Sequence, residues 1–298
     1  MKICLVVKRI FILNFILFPY MASLHAASTV WIAGLGNDAD AGTRGLPVET
    51  LANALTKVDP NGNISIIDPS NLQPATINTA VTIAGAPPSQ IVTTVAGIGL
   101  VVNAGPNDEV ILRNLVLNGL GIGTHGIQFI SGKLLVLDNC KITGFTGTGL
   151  DINSSVEGNV VLKNTTISNV SIGINVDTGG TPIGVSLFDV SILGTSTAAL
   201  DGHTGNISID YSTFSQNTGV GVLGEGTSQI NIANSIFTSN LTAIQCNAGA
   251  VVRISNNDIY DNNTGIDVNV GGTVATANNN HTAGSLVPGS PTASIVFQ

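Results

Sequence analysis

Charge is scarce in this 298-residue chain: 9% of residues are charged, and 10 Lys and Arg face 18 Asp and Glu for a net charge of −8. So few charges at 43% hydrophobic content exclude a disordered polyelectrolyte. The deficit of basic residues excludes nucleic acid as the natural ligand, because phosphate binding needs Lys and Arg. Aromatics make up only 4%, with one Trp, so sugar-stacking side chains are few; beyond residue 27 there are Trp31, Tyr211, Tyr260 and six Phe. Cysteine is nearly absent at three residues, which excludes a disulfide-built scaffold. Long apolar runs are missing except at the N-terminus, so the chain is not a multi-span membrane protein.

That one run carries a pattern. Lys2 to Arg9 is a short basic region, Ile10 to Met21 is apolar, and Ala22-Ser23-Leu24-His25-Ala26-Ala27 is a stretch of mostly small residues. This is the layout of a secretory signal peptide over residues 1–27, cleaved near Ala26 or Ala27. Removing it leaves seven basic against 18 acidic residues, net −11, in an extracytoplasmic protein (secreted, surface or periplasmic) with no stable membrane insertion. Cys4 departs with it, leaving Cys140 and Cys246.

What the chain has in abundance is a repeat. An aliphatic residue followed two positions later by Asn recurs at Leu112, Leu137, Leu162, Ile232 and Ile254, with Asp189 after Leu187, Tyr211 after Ile209 and a worn copy at Thr276; the spacings are 25, 25, 25, 22, 23, 22 and 22. A second box lies midway: Gly126-Ile127, Gly149-Leu150, Gly173-Ile174, Ala199-Leu200, Gly219-Val220, Ala243-Ile244 and Gly265-Ile266. Each unit therefore holds short Val- and Ile-rich strands separated by Gly, Asn, Thr and Ser turns. No helix-forming run interrupts them between Gly62 and Gly284. Self-similar all-strand units of this length stack as a parallel β-helix, each strand pairing with its equivalent about 4.8 Å along the axis. Eight or nine coils span about 40 Å.

One column supports the stacking. Asn114, Asn139, Asn164, Asp189, Tyr211, Asn234, Asn256 and Asn278 share a repeat position. Amides stacked at strand spacing can hydrogen-bond along the axis, which predicts a ladder interrupted at Asp189 and Tyr211. Local turn chemistry is the competing explanation. On this repeat, and on the opening Trp31-Ile32-Ala33-Gly34-Leu35-Gly36-Asn37-Asp38-Ala39-Asp40-Ala41-Gly42-Thr43 followed by Pro47, Thr50 and Ala54, the chain resembles the right-handed parallel β-helix proteins of the pectin-lyase-like superfamily. The expected fold is all-β, a single right-handed parallel β-helix. Its parts are an opening strand and capping helix over 28–60, the β-helix over 61–283, and a C-terminal cap over 284–298. Pro47 suits a helix start, and Leu51, Leu55 and Val58 fall on one helical face that could close the first coil. Cys140 and Cys246 then lie four coils, about 19 Å, apart, so both are expected as free, packed thiols.

Candidate chemistry comes from aligning the second boxes. Asp151, Asn175 and Asp201 form one column, with Asn153, Asp177 and His203 two residues along on the same strand face. Asp151 and Asp201 fall about 9.6 Å apart, near the carboxylate separation of inverting glycosidases. The superfamily includes polygalacturonases, which the resemblance makes the nearest catalytic comparison; Asn175-Val176-Asp177 and Asp201-Gly202-His203 echo their motifs faintly, and the paired-aspartate and basic closing motifs are not recognisable. Asp151, Asp177, Asp201 and His203 are therefore the catalytic candidates, and Asn153 and Asn175 the ligand-binding ones. A lyase is disfavoured because no Arg/Lys cluster is present to neutralise a uronate. Calcium is disfavoured because Asp38 and Asp40 lack any calcium-loop spacing. His125, His203 and His281 share no coil, so neither a metal nor a cofactor is expected. The sequons at Asn164 and Asn240 carry little weight in so Asn- and Thr-rich a repeat. The leading reading is a secreted or surface protein presenting a rigid polar surface to a polysaccharide, surface glycan or macromolecular partner, without an identifiable active site. The alternatives are a polysaccharide-cleaving hydrolase at the aspartate cluster and a purely structural or adhesive module. Nothing in the repeat signals an oligomeric state.

Overall fold

The computed structural model describes residues 28–295 apart from 69, 71 and 93–96, together with the backbone but not the side chains of 86–92. The proposed signal peptide and Cys4 lie outside the described residues. The chain winds as an all-β parallel solenoid of about nine coils with one short helix, Leu51–Lys57. Each regular coil lays down three strands. The first face is represented by Gly158–Lys163, the second by Thr166–Ser168 and the third by Ile172–Val176. Every strand pairs in parallel with its equivalent one repeat away, as Leu162 does with Leu137 and Leu187. The repeat spacing read from the sequence is thus the circumference of one coil.

Alternation decides what goes inside. The aliphatic column from Leu112 through Leu137, Leu162 and Leu187 to Ile254 is at most 2% exposed, and so are Ile142, Ile167, Ile192, Phe214, Phe237 and Ile259 on the second face. Equivalent residues stack at the strand spacing. Phe214 pairs in register with Phe237, and their rings stack nearly parallel, 4.9 Å between centroids and 7° between planes. The outward residues of the same strands are polar or half-exposed, so each strand contributes one side to the core and one to the surface.

The recurrent Asn column is first of all a backbone device. All eight positions from Asn114 to Asn278 adopt left-handed φ between +50° and +61° and form the bend from the first to the second face. Asn and Asp adopt this region at less cost than a bulky residue, which accounts for their dominance in the column. The expected side-chain ladder is present at only two steps: Asn139 Nδ2 donates to Asn114 Oδ1 at 2.8 Å, and Asn256 Nδ2 to Asn234 Oδ1 at 2.7 Å. Asn164 and Asn234 turn instead to Asp138 and Asp210. A continuous ladder does exist, but at the next bend. Thr195, Asn217, Asn240 and Asn262 are buried and linked in line: Asn217 Nδ2 donates to Asn240 Oδ1 at 2.7 Å and Asn240 Nδ2 to Asn262 Oδ1 at 2.9 Å. Asn240 is 3% exposed and fully engaged, so its sequon is closed to modification in the folded chain.

At the N-terminal end the helix packs on the first strands and buries Leu51 and Ala54, while Val58 is the extended C-cap. Pro47 does not open the helix. Thr50 does, accepting from the Asn53 N–H at 3.2 Å. Thr50 is in turn held by Asp38, which accepts from the Thr50 N–H and hydroxyl and from the Glu49 N–H. Burial pushes the Asp38 pKa up, but these bonds, with the Lys57 charge, outweigh it and leave the carboxyl below its ordinary value. A lowered folded pKa means the bonds stabilise above the unfolded pKa of about 3.9 and are lost as pH falls through the folded value. Asp38→Asn is therefore expected to flatten the acid limb of the stability curve, measured as melting temperature between about pH 2 and 6. At the other end the chain folds back: Ala293–Ser294 pairs with the strand Thr273–Thr276, and Ile266 N–H donates to Pro288 O. Cys140 and Cys246 are free and buried, with burial pushing the Cys140 pKa up to about 11. Neither is a nucleophile in the folded state.

Candidate functional site

The third face carries the predicted polar columns in the predicted register. Asp151 pairs with Asn175, and Asn175 with Asp201. The polar column extends one coil earlier to Gln128, is interrupted by Leu223 beside Asp201, and resumes at Gln245 and Asp267. Asp151 is spent on this scaffold: it accepts from Gln128 Nε2 at 3.2 Å and from Asn175 Nδ2 at 2.9 Å. Asn175 is half-buried by the same bond, so its amide donor points along the coil axis. Asn153 and Asp177 are exposed at the ends of their strands, and Asp177 accepts only a long bond from Gly179 N–H.

Asp201 and His203 come together, with a third partner the sequence alignment missed. His203 Nε2 lies 3.2 Å from Asp201 Oδ1, and its Nδ1 lies 3.3 Å from Glu225 Oε2. Asp201 is 8% exposed, and its Oδ1 has no aligned hydrogen-bond donor despite the nearby ring. Burial raises the Asp201 pKa, and the charges of Glu225 and Asp177 push the same way while His203 opposes them. Glu225 Oε1 accepts from Asn247 Nδ2 at 2.6 Å, and Asn247 Oδ1 accepts from Asn269 Nδ2 at 2.6 Å. One donor atom from each of Asp201, His203 and Glu225 falls within 4.8 Å of the others.

Glu225 was missed because of one displaced box. The structure pairs Leu200 with Val222, so the box in this coil is Gly221-Val222 and not Gly219-Val220. Holding the spacing at the 22 residues seen between Leu187 and Ile209 recovers the true register. It places Glu225 beside His203 and continues that column to Asn247 and Asn269. The histidines occupy different coils, as expected; the useful comparison was with carboxylates in the next coil.

A second feature lies along the bend between the first and second faces. Tyr211 occupies a left-handed position, φ +50°, that is Asn or Asp in the seven other coils of its column. It is 58% exposed and meets the 49% exposed Phe188 edge-to-face at 5.6 Å. From there a groove of about 450 Å³ runs along the bend, lined by Tyr211, Asn234, Asn256, Asp258, Tyr260 and His281. Tyr260 OH donates to Asp258 Oδ1, which also faces His281 Nδ1 at 2.9 Å.

The sequence matches the right handed beta helix region family over residues 99–282. The chain belongs to the right-handed β-helix family. Two solved structures are similar to this β-helix. Pectate lyase Pel9A superposes with a TM-score of 0.61 at 17% identity, covering 91% of this chain and 80% of the lyase. The A-module of the Azotobacter vinelandii mannuronan C-5 epimerase AlgE6 gives 0.54 at 14% identity, covering 80% of this chain and 88% of the module. At these identities the likeness shows the fold alone. No curated protein matches the sequence significantly. Among the described residues of the β-helix, no helix is long and apolar enough to cross a membrane.

Proposed function

We propose that this protein is a secreted, carbohydrate-binding β-helix that holds a glycan in the bend between its first and second faces, without cleaving it. The observation that carries the reading is Tyr211. A bulky residue in the left-handed region costs about 1–2 kcal/mol, and its column elsewhere holds Asn or Asp. The residue retained at that cost is exposed and braced by a second exposed aromatic ring, Phe188. Flat apolar ring faces beside amides, a carboxylate and a phenol are what a pyranose recognises: its C–H face packs on the ring and its hydroxyls bond to the polar rim. A chain with 18 acidic and few basic residues repels uronates, so a neutral glycan is the preferred ligand. The two similar solved structures are named as polysaccharide-acting enzymes, which agrees with a carbohydrate ligand for this fold.

Affinity electrophoresis on neutral and acidic polysaccharides, followed by calorimetry on the best binder, tests this. Tyr211→Asn is expected to weaken binding about tenfold while raising stability by about 1 kcal/mol, since Asn relieves the backbone strain. Unchanged binding in a folded Tyr211→Asn protein would remove the aromatic platform from the account.

The alternative reading is hydrolysis of a polysaccharide at the third face by Asp151, Asp177, Asp201 and His203. What favours it is Asp201, a buried carboxyl whose raised pKa suits a proton donor beside the exposed carboxylate of Asp177. What weighs against it is Asp151, whose two oxygens already accept from Gln128 and Asn175. Release of reducing ends by the wild type, abolished in Asp177→Ala, would move the function to that face.

A further inference from the structure

We propose that Asp201, His203 and Glu225 bind one divalent transition-metal ion of the zinc class, at the strand ends of the third face and across two adjacent coils. The argument begins with hydrogen-bonding capacity. A neutral imidazole has one N–H and one lone pair. His203 presents Nε2 to Asp201 and Nδ1 to Glu225, so with a neutral ring one of the two carboxylates faces the lone pair. Asp201 Oδ1 is enclosed, and among the described residues the only group near enough to partner it is the His203 ring at 3.2 Å, which is poorly aligned for a hydrogen bond. The cluster is thus short of positive charge at its centre, and a cation that takes the imidazole lone pair and one oxygen from each carboxylate supplies it.

The donor set selects the kind of cation. One imidazole nitrogen and two carboxylates are the nitrogen–oxygen ligands that zinc and its first-row neighbours take, with three protein ligands leaving an outward position open. Calcium asks for about six to eight oxygens, more than these residues offer. The three donor atoms already lie within 4.8 Å of one another, whereas a tetrahedral zinc site brings them to about 3.4 Å. His203 and Glu225 are each about one-third exposed at the side chain and free to close by rotation, while Asp201 is fixed in the sheet. Outer support is already built: Asn247 holds Glu225 Oε1 and leaves Oε2 facing the site, and Asn269 holds Asn247. Partners of this kind orient a ligand and are worth about 10–100-fold in metal affinity.

The test uses the untagged protein stripped with a chelator and titrated calorimetrically with Zn2+, then with Co2+ while visible absorption is recorded. The expected result is one equivalent per chain, with cobalt bands of low-coordinate intensity. His203→Gln and Glu225→Gln are each expected to weaken binding by about 100-fold. Both residues are partly exposed, and circular dichroism checks that the variants fold. His125→Gln, at a histidine of a different coil, is expected to bind as the wild type does. No saturable binding would overturn the proposal. Binding that survives His203→Gln, or Ca2+ binding with equal affinity, would overturn it as well. Glycan binding at Tyr211 enters none of these readouts, so the two proposals stand or fall separately.

Discussion

Asn240→Asp is expected to destabilise the protein by about 3–5 kcal/mol, because a buried, fully bonded amide is replaced by a charge. Asn240 donates to Phe214 O and Asn262 Oδ1, and its own Oδ1 accepts from the Asn217 backbone and side chain. Aspartate keeps the acceptor but loses both donors. It also places a buried charge against the Asn262 oxygen. Asn256→Asp is the control: it sits in the exposed column, donates to Asn234, and is expected to cost about 0.5–1 kcal/mol. Guanidinium unfolding of both variants measures the difference. Equal losses would mean that the buried ladder contributes no more than an ordinary exposed amide pair.

Phe237→Ala carries a comparable cost for a different reason. Phe237 and Phe214 are fully buried and lie face to face because parallel register sets them one strand spacing apart. Removing one ring opens a cavity that rigid strands on three sides cannot fill, and the expected loss is about 3–5 kcal/mol. Phe237→Leu should recover most of it. Because each coil contacts chiefly its neighbours, the damage is expected to concentrate near residues 209–259, with hydrogen exchange there rising before that of the coils at Leu137 and Leu162. A uniform rise along the chain would contradict nearest-neighbour stacking.

How much of this was legible beforehand varies with the physics behind each feature. The coil length, the inward aliphatic column and the register of Asp151, Asn175 and Asp201 follow from periodicity alone, because a solenoid turns sequence spacing into spatial contact. The register was lost at one box, where Gly219 and Gly221 offer two equally plausible alignments. That two-residue slip put Leu223 in the place of Glu225 and hid the cluster around His203. The Asn column was visible, but its dominant cause was not: one amide serves both a left-handed bend and a side-chain ladder, and composition does not separate them. The buried ladder was equally periodic, with Asn217, Asn240 and Asn262 spaced 23 and 22 apart. It passed unnoticed among many Asn because burial is a property of the bend it sits in. Tyr211 looked like a break in a pattern, and only its exposure and its partner Phe188 give the break a meaning.

The most direct measurement of the central claim is a crystal structure of the protein with its tightest-binding oligosaccharide. The account predicts a sugar ring packed face-on against Tyr211 or Phe188, with hydroxyls on the polar rim formed by Asn234, Asn256 and Asp258. A sugar lying instead across Asp177 and Asp201, with a glycosidic oxygen beside the Asp201 carboxyl, would contradict it and make this β-helix a hydrolase.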